Sequence, residues 1–188
     1  MKRIAIELAL TAALCCPAQN LVKNADFQKV SKKGKLVSWN YKGQSFTSVD
    51  SDQPGKTGAK AAMTKLTMPE GKKTVFSNMT QKITLGPGKY RLTFTAKVDG
   101  DGYANCSWRS FAEEKKAIKV QTYWNPVCAG SEWKTITHEL EIPEGPAYIY
   151  LSATGRLNAS KGHKEGSMYF ADISLTPVEG GQAAEESK

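Results

Sequence analysis

Tyr90-Arg91-Leu92-Thr93-Phe94-Thr95-Ala96-Lys97-Val98 alternates strictly between apolar and polar side chains. A period of two sends successive side chains to opposite faces of a strand. The stretch therefore reads as a half-buried β-strand with Tyr90, Leu92, Phe94, Ala96 and Val98 facing a core. The same period recurs outward from it. Ile136, His138, Leu140 and Ile142 alternate with Thr135, Thr137, Glu139 and Glu141, and Ile149, Leu151 and Ala153 alternate with Tyr148, Tyr150 and Ser152. Val75 to Leu85, Tyr103 to Phe111, Ile118 to Asn125 and Met168 to Leu175 are further strand candidates. Turn chemistry separates them at Gly86-Pro87-Gly88, Asp99-Gly100-Asp101-Gly102 and Pro143-Glu144-Gly145-Pro146. Many short strands at this spacing predict an all-β sandwich or barrel. The stretch around Phe111 to Lys119 is the one helix candidate, and its Glu113-Glu114-Lys115-Lys116 reads better as a charged loop tip.

The ends of the chain differ from its middle. Lys2 and Arg3 precede a mostly apolar run from Ile4 to Cys16, interrupted by Glu7, and Cys16-Pro17-Ala18 places small residues where a signal peptidase reads. Residues 1–18 thus predict a secretory signal with Gln19 as the new N-terminus, and hence a secreted, periplasmic or cell-surface protein. The run is too short to cross a bilayer, and no later stretch is apolar enough to do so. A buried helix of the mature fold is the alternative reading. A lipid on Cys15 or Cys16 is another, against which Leu14 is bulky where that signal wants a small residue. Residues 19–179 are long enough for one domain with a real core. Residues 180–188 are polar and predict a disordered tail.

The formal charge of +8 drops by one when Lys2, Arg3 and Glu7 leave with the signal, so the mature chain stays basic. Its lysines are dispersed, in pairs such as Lys32-Lys33, Lys72-Lys73 and Lys115-Lys116. That pattern suits a solvated surface rather than a nucleic-acid tract. No nucleic-acid partner is expected, whereas an acidic glycan is a candidate. Cleavage leaves Cys106 and Cys128, which in an oxidising compartment read as one disulfide. His138 and His163 stand alone in sequence, which excludes a zinc pattern. The chain lacks Gly-x-Ser-x-Gly, His-Glu-x-x-His, a phosphate loop and a Cys–His nucleophile pair. Its carboxylates at Asp99, Asp101, Glu113, Glu114, Glu139 and Glu141 fall in turns or at exposed strand positions, not as the facing pair glycoside hydrolysis needs. No catalytic residue is assigned and no enzyme is expected.

Asn20 to Phe27 with Trp39, Gln81 to Phe94, and Tyr169 to Leu175 are three stretches that together resemble galactose-binding-like carbohydrate-binding modules. Asn20-Leu21-Val22-Lys23-Asn24-Ala25-Asp26-Phe27, followed by Trp39, is similar to their opening strand. Gln81 to Leu85, the Gly86-Pro87-Gly88 turn and Lys89 to Phe94 resemble a strand, glycine turn and strand. Tyr169-Phe170-Ala171-Asp172-Ile173-Ser174-Leu175 is similar to the closing strand. The resemblance implies a two-sheet antiparallel β-sandwich, a jelly roll, that binds sugar. It departs from the family at the residues that often hold a structural calcium. Gln28 follows Phe27 where a glutamate is usual, and Ala171 precedes Asp172 where two aspartates are usual. Asn24 and Asp172 are the remaining weak metal candidates, and calcium is not favoured.

A sugar is gripped by flat rings against its C–H faces and by planar polar groups at its hydroxyls. A sandwich supplies both on the outer face of a sheet. With Ala104, Cys106 and Trp108 turned inward, Tyr103, Asn105, Ser107 and Arg109 point out. With Ile118, Val120, Thr122 and Trp124 inward, Lys119, Gln121, Tyr123 and Asn125 point out. Arg91, Thr93 and Thr95, with Tyr148 and Tyr150, would join them if these strands share a sheet. The carbohydrate-binding set read from the sequence is Tyr103, Asn105, Arg109, Gln121, Tyr123 and Tyr150, while Trp39, Trp108, Trp124 and Trp133 read as core. The expected function is non-catalytic recognition of a glycan by stacking and hydrogen bonds. The alternative is a structural or adhesive sandwich that binds a protein or the cell envelope.

Overall fold

Two antiparallel sheets lie face to face in the computed structural model, which describes residues 19–112, 129–142 and 147–178. Among the described residues the strands are β1 (Asn40–Gly43), β2 (Thr47–Asp50), β3 (Lys60–Thr67), β4 (Thr74–Leu85), β5 (Gly88–Gly100), β6 (Tyr103–Ala112), β7 (Lys134–Ile142), β8 (Ala147–Asn158) and β9 (Glu165–Pro177). One sheet has the order β1-β4-β8-β6 and the other β2-β3-β9-β5-β7. The all-β sandwich expected from the alternating rows is the observed architecture. The signal segment, the Ile118 to Asn125 strand candidate, the Pro143 to Pro146 turn and the tail lie outside the described residues.

The alternation decides what lies between the sheets. Tyr90, Leu92, Phe94, Ala96 and Val98 of β5 are buried, as are Ile149, Leu151 and Ala153 of β8 and Ala104, Cys106 and Trp108 of β6. Phe170, Ile173 and Leu175 of β9 complete the layer from the opposite sheet. The even-then-odd numbering on β9 has a cause. Thr93 pairs with Ser174 and Thr95 with Ala171, so two residues of β9, Asp172 and Ile173, oppose the single Phe94 of β5. Asp172 takes the extra position with φ +51°. Such a bulge reverses the parity of the strand, which turns Ile173 and Leu175 inward after Met168 and Phe170.

Two features of the alternation were not anticipated. Asn20 to Phe27, expected as an opening strand, forms no strand. Along β9, strand β3 pairs with Glu165 to Phe170 alone, which leaves the second half of β9 open on that side. The Asn20 side chain closes it, accepting from the Leu175 N–H (3.0 Å) and donating to the Ile173 carbonyl (3.1 Å), while the Leu21 N–H donates to the Leu175 carbonyl (2.9 Å). A side chain and one amide thus do the work of a ladder. The second surprise is Lys97, which points away from the core yet is only 7% exposed. Its Nζ lies 2.6 Å from the Asp52 carboxylate and 3.5 Å from Asp99, over the rings of Tyr169 (4.8 Å) and Trp133 (5.4 Å). The Trp133 Nε1 donates to Asp52 at 2.8 Å. Burial pulls the Lys97 ammonium down, but the hydrogen bond it donates to Asp52 and the charges of Asp99 and Asp52 outweigh it and leave it raised. The hydrogen bonds from Lys97 and then Trp133 hold the Asp52 carboxyl below its ordinary range.

Two glycines make room for the turn that takes the chain from one sheet to the other. Gly102 sits at φ +111°, where a Cβ would lie 2.3 Å from Met168 Cε and 2.7 Å from the Arg156 carbonyl oxygen. Gly166 lies under the same turn, and a Cβ there would lie 1.8 Å from the Asp101 carbonyl oxygen. The turn is tied to the chain before β9 through Asp101 N–H to the Glu165 carbonyl (2.9 Å) and Lys164 N–H to the Asp101 carboxylate (2.7 Å). It therefore sets where β6 begins. Gly166→Ala should lower the unfolding free energy by about 1–3 kcal/mol, because backbone rather than a flexible side chain must give way. Urea denaturation of the variant checks this, and a midpoint equal to that of the parent would contradict the close approach.

Candidate functional site

The outer face of the four-stranded sheet is built by the residues between the core positions of β4, β6 and β8. Cross-strand register arranges them in rows. At one end Phe76, Arg156 and Tyr103 are opposite one another on β4, β8 and β6. The next rows are Asn78–Thr154–Asn105, with Lys42 of β1 opposite Asn78, and Thr80–Ser152–Ser107. Lys82–Tyr150–Arg109 and Thr84–Tyr148–Phe111 follow. The parity is dictated from below, since Met79, Gln81 and Ile83 on β4, Cys106 and Trp108 on β6, and Leu151 and Ala153 on β8 are buried.

This face holds a groove of about 880 Å³. Its middle is floored by short polar side chains, Thr80, Asn105, Ser107, Ser152 and Thr154, with Asn78 beside them. The Asn78 Oδ1 has no hydrogen-bond partner among the described residues. Rings stand at both ends. Phe76, 42% exposed, and Tyr103 mark one end, and Tyr103 is braced against the His163 ring with centroids 4.9 Å apart. Tyr150, 38% exposed, and Phe111 mark the other, with centroids 5.4 Å apart in an edge-on contact. Tyr148 stacks on Phe111 at 5.3 Å and carries the Lys82 ammonium 4.0 Å above its own ring. It supports this end from beside the groove rather than lining it. Among the described residues three cations line the groove, Lys42, Arg109 and Arg156.

Four of the six residues expected to bind sugar, Tyr103, Asn105, Arg109 and Tyr150, therefore come together on one face. Gln121 and Tyr123 lie outside the described residues. The expected companions Arg91, Thr93 and Thr95 do not join them. Strand β5 pairs with β7 and β9 in the opposite sheet. There Arg91 meets Glu139 at 2.9 Å, the Thr93 and Thr137 hydroxyls are 3.2 Å apart, and those of Thr95 and Thr135 are 2.9 Å apart. Sequence reading passed over Phe76, Asn78 and Thr80. The signal was present: Ile83 and Leu85 put the odd positions of β4 inward, which leaves Phe76 as an aromatic residue turned to water.

Cys106 faces the core, and burial pushes its thiol up to about 12. Its expected partner Cys128 lies outside the described residues. The two metal candidates have protein partners. The Asn24 carboxamide accepts from the Lys29 N–H (2.9 Å) and donates to the Lys29 (2.9 Å) and Val37 (3.0 Å) carbonyls. The Asp172 carboxylate accepts from Gln53 Nε2 (2.9 Å) and Lys56 Nζ (2.5 Å). Donors face Asp172 in this arrangement, whereas calcium takes several oxygen acceptors. Among the described residues no three His, Cys, Asp or Glu side chains gather as metal ligands. No described helix is long and apolar enough to cross a membrane.

No family model matches the sequence, and no curated protein matches it. Solved structures do share its architecture. A family 61 carbohydrate-binding module in complex with β-1,4-galactotriose superposes with a TM-score of 0.56 at 16% identity, over 86% of this chain and 100% of that one. The CBM22-2 xylan-binding domain of Paenibacillus barcinonensis Xyn10C gives 0.53 at 14% identity, over 82% and 98%. The enzymatically active domain of tailspike protein 4 of bacteriophage CBA120 gives 0.60 at 16% identity, over 85% of this chain but only 21% of that one. With two separate modules matched along nearly their whole length, the chain has the jelly-roll β-sandwich fold of carbohydrate-binding modules.

Proposed function

We propose that this protein binds a glycan, without cleaving it, in the groove on the outer face of its four-stranded sheet. The observation that carries the reading is the arrangement of that groove, with rings at both ends and a floor of short hydroxyl and amide side chains between them. Rings offer apolar faces to sugar C–H groups, and the floor supplies donors and acceptors for hydroxyls at little steric cost. A volume of about 880 Å³ lies within the range of sites for small ligands or polymer segments. No carboxylate is among the described lining residues, which fits binding rather than hydrolysis. Of the exposed large apolar side chains among the described residues, Phe76 and Tyr150 line this groove.

Export and a Cys106–Cys128 disulfide belong to the same proposal, and Gln121 and Tyr123 are proposed to extend the binding face. The test of the groove is Tyr150→Ala. After an array of polysaccharides has identified a ligand, calorimetry should show binding weakened by about 1–3 kcal/mol, the range for losing an aromatic stacking platform. The melting temperature should barely move, because the ring is partly exposed and outside the core. Unchanged affinity in the folded variant would reject the groove as the site. For the disulfide, thiol titration of the unfolded, unreduced mature protein should find no free thiol; two free thiols would remove it.

A further inference from the structure

We infer that the glycan taken by this groove is anionic, a polysaccharide carrying carboxylate or sulfate groups, and that Arg156 and Arg109 read those groups at the two ends. The inference rests on the groove being the glycan site and adds the chemistry of its ligand.

The argument begins with how charge is divided between the sheets. Strands β1, β4, β6 and β8 carry Lys42, Lys82, Arg109 and Arg156 and not one Asp or Glu. The strands of the other sheet carry Asp50, Asp99, Glu139, Glu141, Glu165 and Asp172 beside their own lysines and arginine. The ion pairs of the described residues follow the same division. Lys56–Asp172, Lys60–Asp50, Lys65–Glu165, Arg91–Glu139 and Lys97–Asp52 all belong to the five-stranded sheet or its loops. Lys42, Arg109 and Arg156 make no ion pair among the described residues. A surface charged only for solubility would intersperse both signs. Here one sheet neutralises its own charges, and the other turns uncompensated cations into a groove whose walls strengthen their field.

The residue types and their positions narrow the ligand further. A guanidinium is a planar fork that matches a carboxylate or sulfate with two parallel hydrogen bonds. Arg156 stands between Phe76 and Tyr103 across the strands, and Arg109 stands beside Tyr150. Each end therefore pairs a ring for a sugar face with a fork for its anionic substituent. Along the strand direction the two arginine rows are six residues apart, about 20 Å at about 3.3 Å per residue. A span of that length suits a chain with repeated charges rather than one sugar.

The experiment compares three forms of one polysaccharide backbone, neutral, carboxylated and sulfated, by calorimetry with the mature protein at about 0.15 M salt, where long-range attraction is screened. At least one anionic form should bind about tenfold or more tighter than the neutral one, as charge-assisted hydrogen bonds require. Which form wins tells carboxylate from sulfate. Arg109→Gln and Arg156→Gln should each reduce that preference, weakening binding of the anionic form several-fold more than binding of the neutral one. Lys89→Gln, the same charge change on the other sheet, should leave the preference intact. Equal binding of all three forms, still sensitive to Tyr150→Ala, would overturn the inference and spare the groove. Equal losses from Lys89→Gln and Arg109→Gln would overturn it in favour of diffuse attraction. Tighter binding of a single-stranded oligonucleotide than of any polysaccharide, or no polysaccharide binding at all, would overturn both readings.

Discussion

The apolar layer between the two sheets is the constraint on which the binding face depends. Ile149, Leu151 and Ala153 of β8 cannot leave it without opening the core, so Tyr150, Ser152, Thr154 and Arg156 have no other face to occupy. The same holds on β6 beneath Tyr103, Asn105 and Arg109, where Ala104, Cys106 and Trp108 are buried. Burial of such side chains is worth roughly 1.5–3 kcal/mol each. That is far more than any one exposed contact contributes. The groove is thus placed by residues that do not line it, and its shape follows from the side chains left over. Short ones in the middle leave room, and long or aromatic ones at the ends close it.

The two outer faces have different fates. On the five-stranded sheet the loop bearing Asp52 and the indole of Trp133 cover Lys97, and hydroxyl pairs such as Thr95–Thr135 satisfy one another. That face spends its polar groups internally. On the four-stranded sheet Arg109 and Arg156 stay exposed and have no ion-pair partner among the described residues. Polar groups left without internal partners are groups a ligand can satisfy, and this contrast is why the four-stranded face is the one assigned to binding.

Much of this was legible in the sequence, and the reasons are local. Period-two alternation on β6 and β8 is unbroken, so the outward placement of Tyr103, Asn105, Arg109 and Tyr150 could be read directly. Sheet membership is not local. The Asp99-Gly100-Asp101-Gly102 turn passes from β5 in one sheet to β6 in the other, so Arg91, Thr93 and Thr95 do not share a sheet with Tyr103 and Arg109. The bulge at Asp172 was hidden because one extra residue changes parity without changing composition. Asn20 to Phe27 resembles a strand but is held by the Asn20 side chain, a long-range contact that no window of sequence contains. Phe76 was legible and overlooked.

The central claim is that the ligand lies across β4, β8 and β6. Backbone amide chemical shifts of the isotopically labelled mature protein, followed as a bound polysaccharide is titrated in, test it most directly. The account predicts that the perturbed amides cluster at Asn78, Thr80, Asn105, Ser107, Ser152 and Thr154, while Thr93, Thr137 and Thr176 on the opposite sheet stay still. Perturbations gathered on the five-stranded sheet, or on the loop from Asn20 to Phe27, would contradict it.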